Sequence, residues 1–260
     1  MGFSDKVCVI TGGSNGIGFH IAEGFLNQGA KAAIIDKDDS GVQILYDKYG
    51  GSKVLFYQGD ISNEHTLVDF ASKTIEKFNY INFLINNACL SKQGVLSGCS
   101  FDDFNYVLKT GVTAPYYLAK LFLNNFAPNS SIVNIASTRA FMSQPDTESY
   151  TAAKGAIVSL THALAASLKN KVRVNCISPG WIETDILTKE NEHTPADRRQ
   201  HLAGRVGDPT DILSLVLFLC SNKSNFIDGQ NITIDGGMTK NMIYHNDNGW
   251  AYSPEPTGER

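Results

Sequence analysis

Residues 6–18 read Lys6-Val7-Cys8-Val9-Ile10-Thr11-Gly12-Gly13-Ser14-Asn15-Gly16-Ile17-Gly18. The apolar run at the start predicts a buried strand, and the spaced glycines after it predict a tight turn. From Gly16 to Gln28 the apolar residues recur at helical spacing, which predicts a helix. A second apolar run covers residues 32–36 and ends at Asp36. This order of strand, helix and strand predicts a βαβ unit with parallel strands.

The same alternation continues along the rest of the chain. Short apolar, β-branched runs at residues 53–57, 83–85, 131–135, 172–176 and 231–234 are each flanked by helical periods. Strands that are apolar on both faces indicate a parallel sheet covered by helices on both sides. Because no repeat or linker interrupts this order, we predict one doubly wound α/β domain over residues 1–240. Residues 241–260 are predicted to form a C-terminal tail.

The composition excludes several classes of protein. The chain of 260 residues has a formal net charge of −4, which argues against a nucleic-acid partner. It lacks an apolar stretch long enough for a bilayer, so we expect no membrane partner. The first residues lack the pattern of a secretory signal, and the five cysteines are scattered along the chain. These features predict a reduced, cytoplasmic protein.

The glycine-rich turn predicts a dinucleotide site. Gly12, Gly16 and Gly18 would let the backbone approach a pyrophosphate at the start of the first helix. Asp36 follows Gly18 by 18 residues, close to the offset of a carboxylate that binds the adenosine ribose. Such a carboxylate would repel a 2′-phosphate, which favours NAD over NADP. Two alternatives remain open: Asp36 caps a turn, or Lys37 weakens the preference for NAD.

A second group of residues predicts acid–base chemistry. Tyr150 and Lys154 are four residues apart in a helical period, so they share one helix face. Ser137 follows a predicted strand and so reaches the sheet edge that carries the glycine turn. An ammonium group beside a phenol helps it to exchange a proton near neutral pH, and a hydroxyl can stabilise a developing oxyanion. The alternative is a surface tyrosine and lysine beside a capping serine.

Together these residues resemble the short-chain dehydrogenase/reductase family. The resemblance covers about residues 5–240 and rests on Thr11-Gly12 with Gly16-Ile17-Gly18, Asn86-Asn87-Ala88, Ser137, and the pair Tyr150 and Lys154. It implies a Rossmann-type domain with a central seven-stranded parallel sheet, a nicotinamide cofactor, and a homotetramer or homodimer. It implies that Ser137, Tyr150 and Lys154 are catalytic.

The resemblance also implies a set of cofactor-binding residues. Asp60 and Ile61 would lie near the adenine, Asn86 and Ala88 beside the ribose and cofactor backbone, and residues 179–184 on the nicotinamide side. The full predicted set, apart from Asn86, is Gly12, Ser14, Asn15, Gly16, Ile17, Gly18, Asp36, Asp60, Ile61, Asn87, Ala88, Cys89, Tyr150, Lys154, Pro179, Gly180, Ile182 and Thr184.

The chain departs from the family pattern at two positions. Cys89 stands where the family usually has glycine, either as a small buried residue or as a side chain that shifts the cofactor loop. Gly111 aligns with an asparagine that holds a proton-relay water in many members. A glycine within a helix points to close packing, a bulge or an ordered water. The relay would then run through Thr110, Thr113 or water alone.

Substrate residues are predicted from their position near Ser137. Arg139 could bind a carboxylate or phosphate, or could instead pair with Asp146 or Glu148. Phe141 and Trp181 are the other candidates on this edge. Residues 184–208 form either a lid or a solvated loop. His193 and His201 lack metal-site spacing, so no metal is predicted.

The predicted function is hydride transfer between NAD and a secondary alcohol or ketone, such as a polar sugar, polyol or hydroxy acid. The alternative is a catalytically weak NAD(H)-binding sensor or scaffold, which Gly111 and Cys89 would favour. In the tail, Trp250 and Tyr252 predict a subunit contact, with disorder as the alternative.

Overall fold

The computed structural model describes residues 2–184, 193–247 and 251. Its seven strands form one parallel sheet in the order β3-β2-β1-β4-β5-β6-β7. The strands are β1 (Val7–Thr11), β2 (Lys31–Asp36), β3 (Val54–Gln58), β4 (Ile81–Asn86), β5 (Phe126–Ile135), β6 (Val172–Pro179) and β7 (Asn231–Ile234). The predicted doubly wound fold with seven parallel strands is confirmed.

Helices cover both faces of this sheet. They are α1 (Gly16–Asn27), α2 (Val42–Tyr49), α3 (Glu64–Phe78), α4 (Phe101–Leu108), α5 (Ala114–Leu121), α6 (Glu148–Ser167), α7 (Pro195–Arg199) and α8 (Pro209–Cys220). One hydrophobic core lies between the sheet and α1, α2 and α8, and a second lies between the sheet and α3, α5 and α6. Alternate residues of β1 enter the two cores: Cys8 and Ile10 the first, Val7 and Val9 the second. This explains why β1 is apolar from Val7 through Ile10.

Several strands extend beyond their predicted bounds because buried polar side chains lie within them. Asn82 in β4 accepts a hydrogen bond from the Val7 amide at 2.9 Å. Ser130 in β5, which precedes the predicted start at residue 131, donates to the Ile81 carbonyl at 3.4 Å. Such side chains satisfy backbone groups inside the core, and hydropathy patterns do not reveal this arrangement.

The topology places a crevice at one edge of the sheet. After β3, the chain returns across the sheet and forms β4 on the other side of β1. Ligands of doubly wound sheets bind at this reversal point, beyond the carboxyl ends of the strands. The turns after β1, β4, β5 and β6 therefore bring the predicted site residues to one edge.

Two predicted features lie partly or wholly outside the described residues. The proposed lid over residues 184–208 includes residues 185–192, and the tail includes Trp250 and Tyr252. The described segment 193–208 is anchored to α8, since Arg205 forms two hydrogen bonds of 2.7 and 2.6 Å with Asp211. Among the described residues, every helix is too short or too polar to span a bilayer.

Candidate active site

The turn between β1 and α1 has the backbone of a phosphate-binding loop. Gly12 and Gly16 adopt left-handed conformations, with φ of 65° and 52°. A Cβ atom on Gly18 would lie 1.9 Å from the Gly12 carbonyl oxygen, so only glycine fits there. Asn15 precedes α1 without a side-chain cap on the helix. The Asn15 side chain thus leaves the first-turn amides of α1 uncapped, which is the arrangement of an anion-binding helix N-terminus.

Asp36 fastens this loop from the end of β2. Its Oδ2 atom accepts hydrogen bonds from the Ser14 amide at 3.1 Å and from Ser14 Oγ at 2.6 Å. Asp36 also lines the adjoining cleft, which has a volume of about 330 Å³. The side chain therefore combines a structural contact with a position on the cleft wall.

The segment after β4 forms the opposite wall of the cleft. Asn87 Nδ2 donates to the carbonyl oxygens of Thr11 and Gly12 at 3.2 and 2.8 Å. The amides of Asn87 and Ala88 both donate to Thr11 Oγ1 at 3.1 Å. These contacts lock the two cofactor-facing loops together.

Asn86 does not lie in this wall, and its expected place beside the ribose is wrong. Its side chain is buried between strands and donates to Asn134 Oδ1 at 2.7 Å. Asn134 in turn donates to Thr161 Oγ1 at 2.9 Å, which continues a buried polar chain toward α6. Successive side chains of a strand point to opposite faces of the sheet. Asn86 therefore points to the face that α6 covers, and Asn87 faces the cleft.

The far end of the cleft is closed by an ion pair and a tyrosine. Asp60 Oδ2 accepts a hydrogen bond from Tyr106 OH at 2.8 Å and lies 3.2 Å from Lys37 Nζ. Burial acts to raise the pKa of Asp60, but hydrogen bonds from Ser62 and Tyr106 outweigh it and lower that pKa. Hydrogen bonds to Tyr106 and Asp60 raise the pKa of Lys37. Lys37 is thus held by Asp60, and Ile61 completes the wall.

Ser137, Tyr150 and Lys154 meet in a small cavity of about 170 Å³. Lys154 is 4% exposed, and its Nζ donates to the Ile135 carbonyl at 2.7 Å. The same Nζ lies 5.4 Å from the centroid of the Tyr150 ring. Ser137 is also buried, at the end of β5. The predicted convergence of the three residues is confirmed, and a surface placement of Lys154 is wrong.

This small cavity joins two larger spaces. It shares Ile17, Asn87 and Cys89 with the cleft, and Pro179 completes its wall. It shares Ser137, Tyr150, Gly180 and Ile182 with a second cavity of about 980 Å³. The three candidate catalytic residues therefore lie between the cleft beside the glycine turn and the larger second cavity.

Comparison with known proteins agrees with this geometry. A family model described as enoyl-(acyl carrier protein) reductase matches residues 12–239. An uncharacterized oxidoreductase from Thermotoga maritima is 40% identical over 252 residues, covering 92% of this chain and 98% of its own. The chain belongs to the short-chain dehydrogenase/reductase family.

Two further relatives support this membership. The 3-oxoacyl-(acyl-carrier-protein) reductase FabG of Chlamydia pneumoniae is 34% identical over 240 residues, covering 90% of this chain and 97% of its own. The solved structure of an apo SCOR enzyme from Clostridium thermocellum has a TM-score of 0.88 at 43% identity, covering 96% of this chain and 99% of that one. This short-chain dehydrogenase/reductase is accordingly an oxidoreductase.

Most predicted cofactor residues line the cleft or the small cavity. The cleft is lined by Gly12, Asn15, Gly16, Ile17, Asp36, Asp60, Ile61, Asn87, Ala88, Cys89 and Thr184. Ser14 and Gly18 are buried behind this wall and shape it. Tyr106 and Thr110 also line the cleft, and the sequence analysis did not predict a cofactor role for either. They come from the helix after β4, where no local motif marks them.

The two departures from the family pattern occupy the same place. Lys109–Thr113 form a π-helical segment between α4 and α5, so the bulge that Gly111 suggested is confirmed. A Cβ on Gly111 would lie 3.0 Å from Cys89 Sγ and 3.1 Å from the Ala153 Cβ. Cys89 therefore fills the space beside Gly111. A side chain at residue 89 is accommodated because residue 111 has none.

The threonines predicted as relays are placed differently from one another. Thr110 is buried and lines the cleft, but its Oγ1 donates to the Tyr106 carbonyl at 2.9 Å. Thr113 is exposed on the outer surface of the helix. A relay through Thr113 is therefore wrong, because the side chain lies away from the cavity.

The second cavity contains two of the three predicted substrate residues. Arg139 and Trp181 line it, together with Met142, Gln144, Gln200 and Asn241. Phe141 is 56% exposed and is not part of this lining, so the structure does not support its predicted place in the site. Its neighbour Met142 occupies that place because the short helical turn at Thr138–Ala140 directs Phe141 outward.

The expected ion pairs of Arg139 with Asp146 or Glu148 are absent. Asp146 Oδ1 accepts hydrogen bonds from the amides of Leu96 and Ser97 at 2.9 and 3.1 Å. Glu148 accepts from the Val95 amide at 3.3 Å. Both carboxylates thus hold the loop before α4.

The lid region carries histidines near Trp181. The ring centroids of Trp181 and His193 are 5.2 Å apart, and His193 Nε2 lies 3.6 Å from Glu183 Oε2. His201 is buried, and its Nδ1 lies 3.0 Å from the Asp197 carbonyl oxygen. Within the described ranges, no three His, Cys, Asp or Glu side chains form a potential metal site.

Proposed function

We propose that this protein is an NAD-dependent dehydrogenase or reductase that interconverts a secondary alcohol and a ketone. The decisive observation is the small cavity in which Ser137 and Tyr150 lie beside the buried ammonium group of Lys154. That cavity opens on one side to a cleft fitted for a dinucleotide and on the other to a large cavity. If Tyr150 and Lys154 had only a structural role, their cavity would not need to connect with both the cleft and the large cavity.

The residues of the cavity have complementary chemical roles in this proposal. When bound, the nicotinamide cofactor supplies or accepts the hydride that moves to or from the carbonyl carbon. Ser137 donates a hydrogen bond to the substrate oxygen as negative charge develops there. Tyr150 gives its proton to that oxygen during reduction and removes it during oxidation. The positive charge of Lys154 stabilises the Tyr150 phenolate.

The cleft fits a dinucleotide because its glycine turn leaves the first amides of α1 available to a pyrophosphate. We propose a preference for NAD, which rests on the Asp36 carboxylate in the cleft wall. A 2′-phosphate near Asp36 would meet like charge, and Lys37 is held by Asp60 and Tyr106. NADP is the alternative that the experiment below compares directly.

Proton supply to Tyr150 is proposed to run through Lys154 and water. Gly111 offers no side chain to hold that water, and Thr110 already donates to a carbonyl. The Ile135 carbonyl, which accepts from Lys154, is the fixed polar atom nearest to this route. The route therefore differs from that of relatives with asparagine at the position of Gly111.

Three broader expectations complete the proposal. Residues 1–240 act as the catalytic domain, with residues 184–208 as a lid. The free thiols of all five cysteines support a cytoplasmic location. Val95 and Leu96 are 78% and 77% exposed, and Phe101 is 83% exposed, which supports burial in a homodimer or homotetramer.

The test is nicotinamide absorbance at 340 nm across keto acids, sugar acids, polyols and hydrophobic ketones, with both cofactors. The wild-type protein should turn over at least one substrate class, and Tyr150→Phe should lower kcat by at least about 100-fold. Binding of NADH without turnover, unchanged by Tyr150→Phe, would instead support the sensor or scaffold hypothesis.

A further inference from the structure

We propose that Arg139 binds a carboxylate of the substrate, so that the substrates of this protein are hydroxy acids and keto acids. This inference rests on the proposed function, because it names the substrate class of the same site. It separates hydroxy acids and keto acids from polyols and neutral ketones.

The backbone of Arg139 is fixed relative to Ser137. The Arg139 amide donates to Ser137 Oγ at 3.1 Å within the turn Thr138–Ala140. The side chain lines the large cavity together with Tyr150 and Ser137. A molecule whose carbonyl oxygen binds Ser137 and Tyr150 would thus lie in the cavity that contains the guanidinium group.

The electrostatics of this cavity favour an anion. Arg139 is the one charged side chain among the described residues that line it. In the described part of the chain, no carboxylate oxygen lies within 4.0 Å of the Arg139 guanidinium. Its side-chain partner there is the neutral amide of Gln144, which accepts a hydrogen bond from Nη2. A guanidinium group has five N–H donors, so most of them remain available to a ligand.

The nearby carboxylates are held away from Arg139 by the protein itself. Asp146 and Glu148 follow Gln144 closely in sequence, yet both accept hydrogen bonds from backbone amides of residues 95–97. This arrangement keeps an acidic loop from neutralising the cation. A substrate carboxylate would supply the missing negative charge. Its two oxygens lie in one plane and can accept hydrogen bonds from two guanidinium N–H groups.

The rest of the lining limits the size and character of the ligand. Ser91, Gln200 and Asn241 offer neutral polar groups, whereas Met142 and Trp181 offer apolar surface. A short carbon chain that carries a carboxylate would contact both kinds of surface. A large apolar ketone would instead leave the guanidinium group without an anionic partner.

The test compares each keto acid with its methyl ester, which removes the charge and keeps the carbonyl. The probes are pyruvate, acetoacetate and levulinate with their esters, because they place the carboxylate at three distances from the carbonyl. The variants are Arg139→Met, Arg139→Lys and, as a control that removes a cation away from the site, Lys169→Met in the exposed turn after α6.

We expect Arg139→Met to raise KM for at least one acid by about 10- to 100-fold while kcat changes little. Its ester should react equally with wild type and Arg139→Met. Arg139→Lys should recover part of the loss, and Lys169→Met should match wild type. An equal rise in KM for acid and ester, or no rise for either, would overturn the proposal that Arg139 binds a substrate carboxylate. The proposed dehydrogenase function would still stand.

A binding measurement separates the two proposals. Calorimetry would measure levulinate binding to the complex with NADH, in wild type and in Arg139→Met. Levulinate binding that weakens about 10-fold or more in Arg139→Met supports carboxylate binding by Arg139. If no probe is reduced, that support remains but the proposed dehydrogenase function fails. Levulinate binding that is the same in both proteins, or absent in wild type, would overturn the proposal that Arg139 binds a carboxylate.

Discussion

The cofactor side of the sheet edge and its substrate side are built in opposite ways. On the cofactor side, Asp36 accepts two hydrogen bonds from Ser14, and Asp60 belongs to a hydrogen-bonded ion pair. On the substrate side, Arg139 faces a cavity that has no other charged lining residue among those described. The first region satisfies its charges internally, and the second leaves one for a ligand.

This difference gives the two regions different roles in ligand binding. A cleft held by internal hydrogen bonds keeps its shape before any ligand arrives, which lowers the entropic cost of binding. A cavity with an unpaired cation gains its missing interaction only with the right ligand. Mutations on the two sides should therefore affect different measured quantities.

The largest effect is expected from Gly18→Ala, which breaks the cofactor side. The added Cβ would lie 1.9 Å from the Gly12 carbonyl oxygen, so the loop or α1 must shift. We expect NADH affinity to fall at least about 100-fold and the protein to lose several kcal/mol of stability, as overpacking against backbone does. NADH fluorescence titration and thermal unfolding measure both quantities.

Gly155→Ala is the matched control for this change. Gly155 lies in α6, and a Cβ there would have no atom within 4 Å. Alanine should stabilise that helix by about 0.5–1 kcal/mol and leave NADH binding unchanged. Equal behaviour of the two variants would show that the glycine loop is not the rigid element described above.

The second effect concerns Cys89 and Gly111, the two neighbouring positions at which the chain departs from the family pattern. Gly111→Asn alone should displace Cys89 into the cleft and weaken NADH binding about 10-fold, because even a Cβ lies 3.0 Å from Cys89 Sγ. Combining it with Cys89→Gly should recover most of that loss. A double-mutant cycle on the NADH dissociation constant should give a coupling of about 1–2 kcal/mol. Additive effects would mean that the two positions are independent.

A third, smaller effect concerns the Asp36 carboxylate on the cofactor side and the choice between NADH and NADPH. Asp36→Asn keeps an acceptor for Ser14 and removes the charge, so the ratio of kcat/KM for NADPH over NADH should rise at least about 10-fold. Asp38→Asn is the control, since Asp38 is exposed and binds Asn15 at 3.0 Å. An unchanged ratio in Asp36→Asn would contradict the proposed preference for NAD.

The smallest effect concerns the turn after β7. Asp235 accepts hydrogen bonds from the amides of Gly237 and Thr239 at 2.9 and 2.8 Å. Burial acts to raise its pKa, but these bonds outweigh it and lower the pKa. Asp235 therefore stabilises the fold fully above the unfolded value of about 3.9, and this contribution is lost as pH falls through the lower folded value.

Asp235→Asn tests this linkage. We expect it to lower the free energy of unfolding by about 1–2 kcal/mol at pH 7. The difference from wild type should shrink as the pH falls below about 4, since protonated Asp235 has lost the same charge. Urea unfolding at pH 7, 5 and 3 would measure this, and a difference that is constant with pH would contradict it.

The fold and the meeting of Ser137, Tyr150 and Lys154 in one cavity were predictable because their signals are local. The strand, glycine turn and helix over residues 7–27 are consecutive, and Tyr150 and Lys154 lie one helical turn apart. The place of Tyr106 was not predictable, because it meets Asp60 only through packing of α4 against the far end of the cleft. No sequence spacing connects these two residues.

Two errors have a related physical cause. Asn86 and Phe141 are each one residue away from the side chain that faces the site, Asn87 and Met142. Near the end of a strand or within a tight turn, a shift of one residue reverses the direction of a side chain. A sequence pattern locates such a segment well, but the three-dimensional backbone decides which of its side chains faces the cavity.

The central claim is that cofactor binding and chemistry reside in separable parts of one site. It is tested most directly by measuring NADH affinity and turnover in Ser137→Ala, with Ser143→Ala in the same cavity as control. We predict an NADH dissociation constant within about 2-fold of wild type and a loss of kcat/KM of at least about 100-fold, with Ser143→Ala close to wild type. Full turnover by Ser137→Ala, or a parallel loss of NADH binding, would contradict the claim.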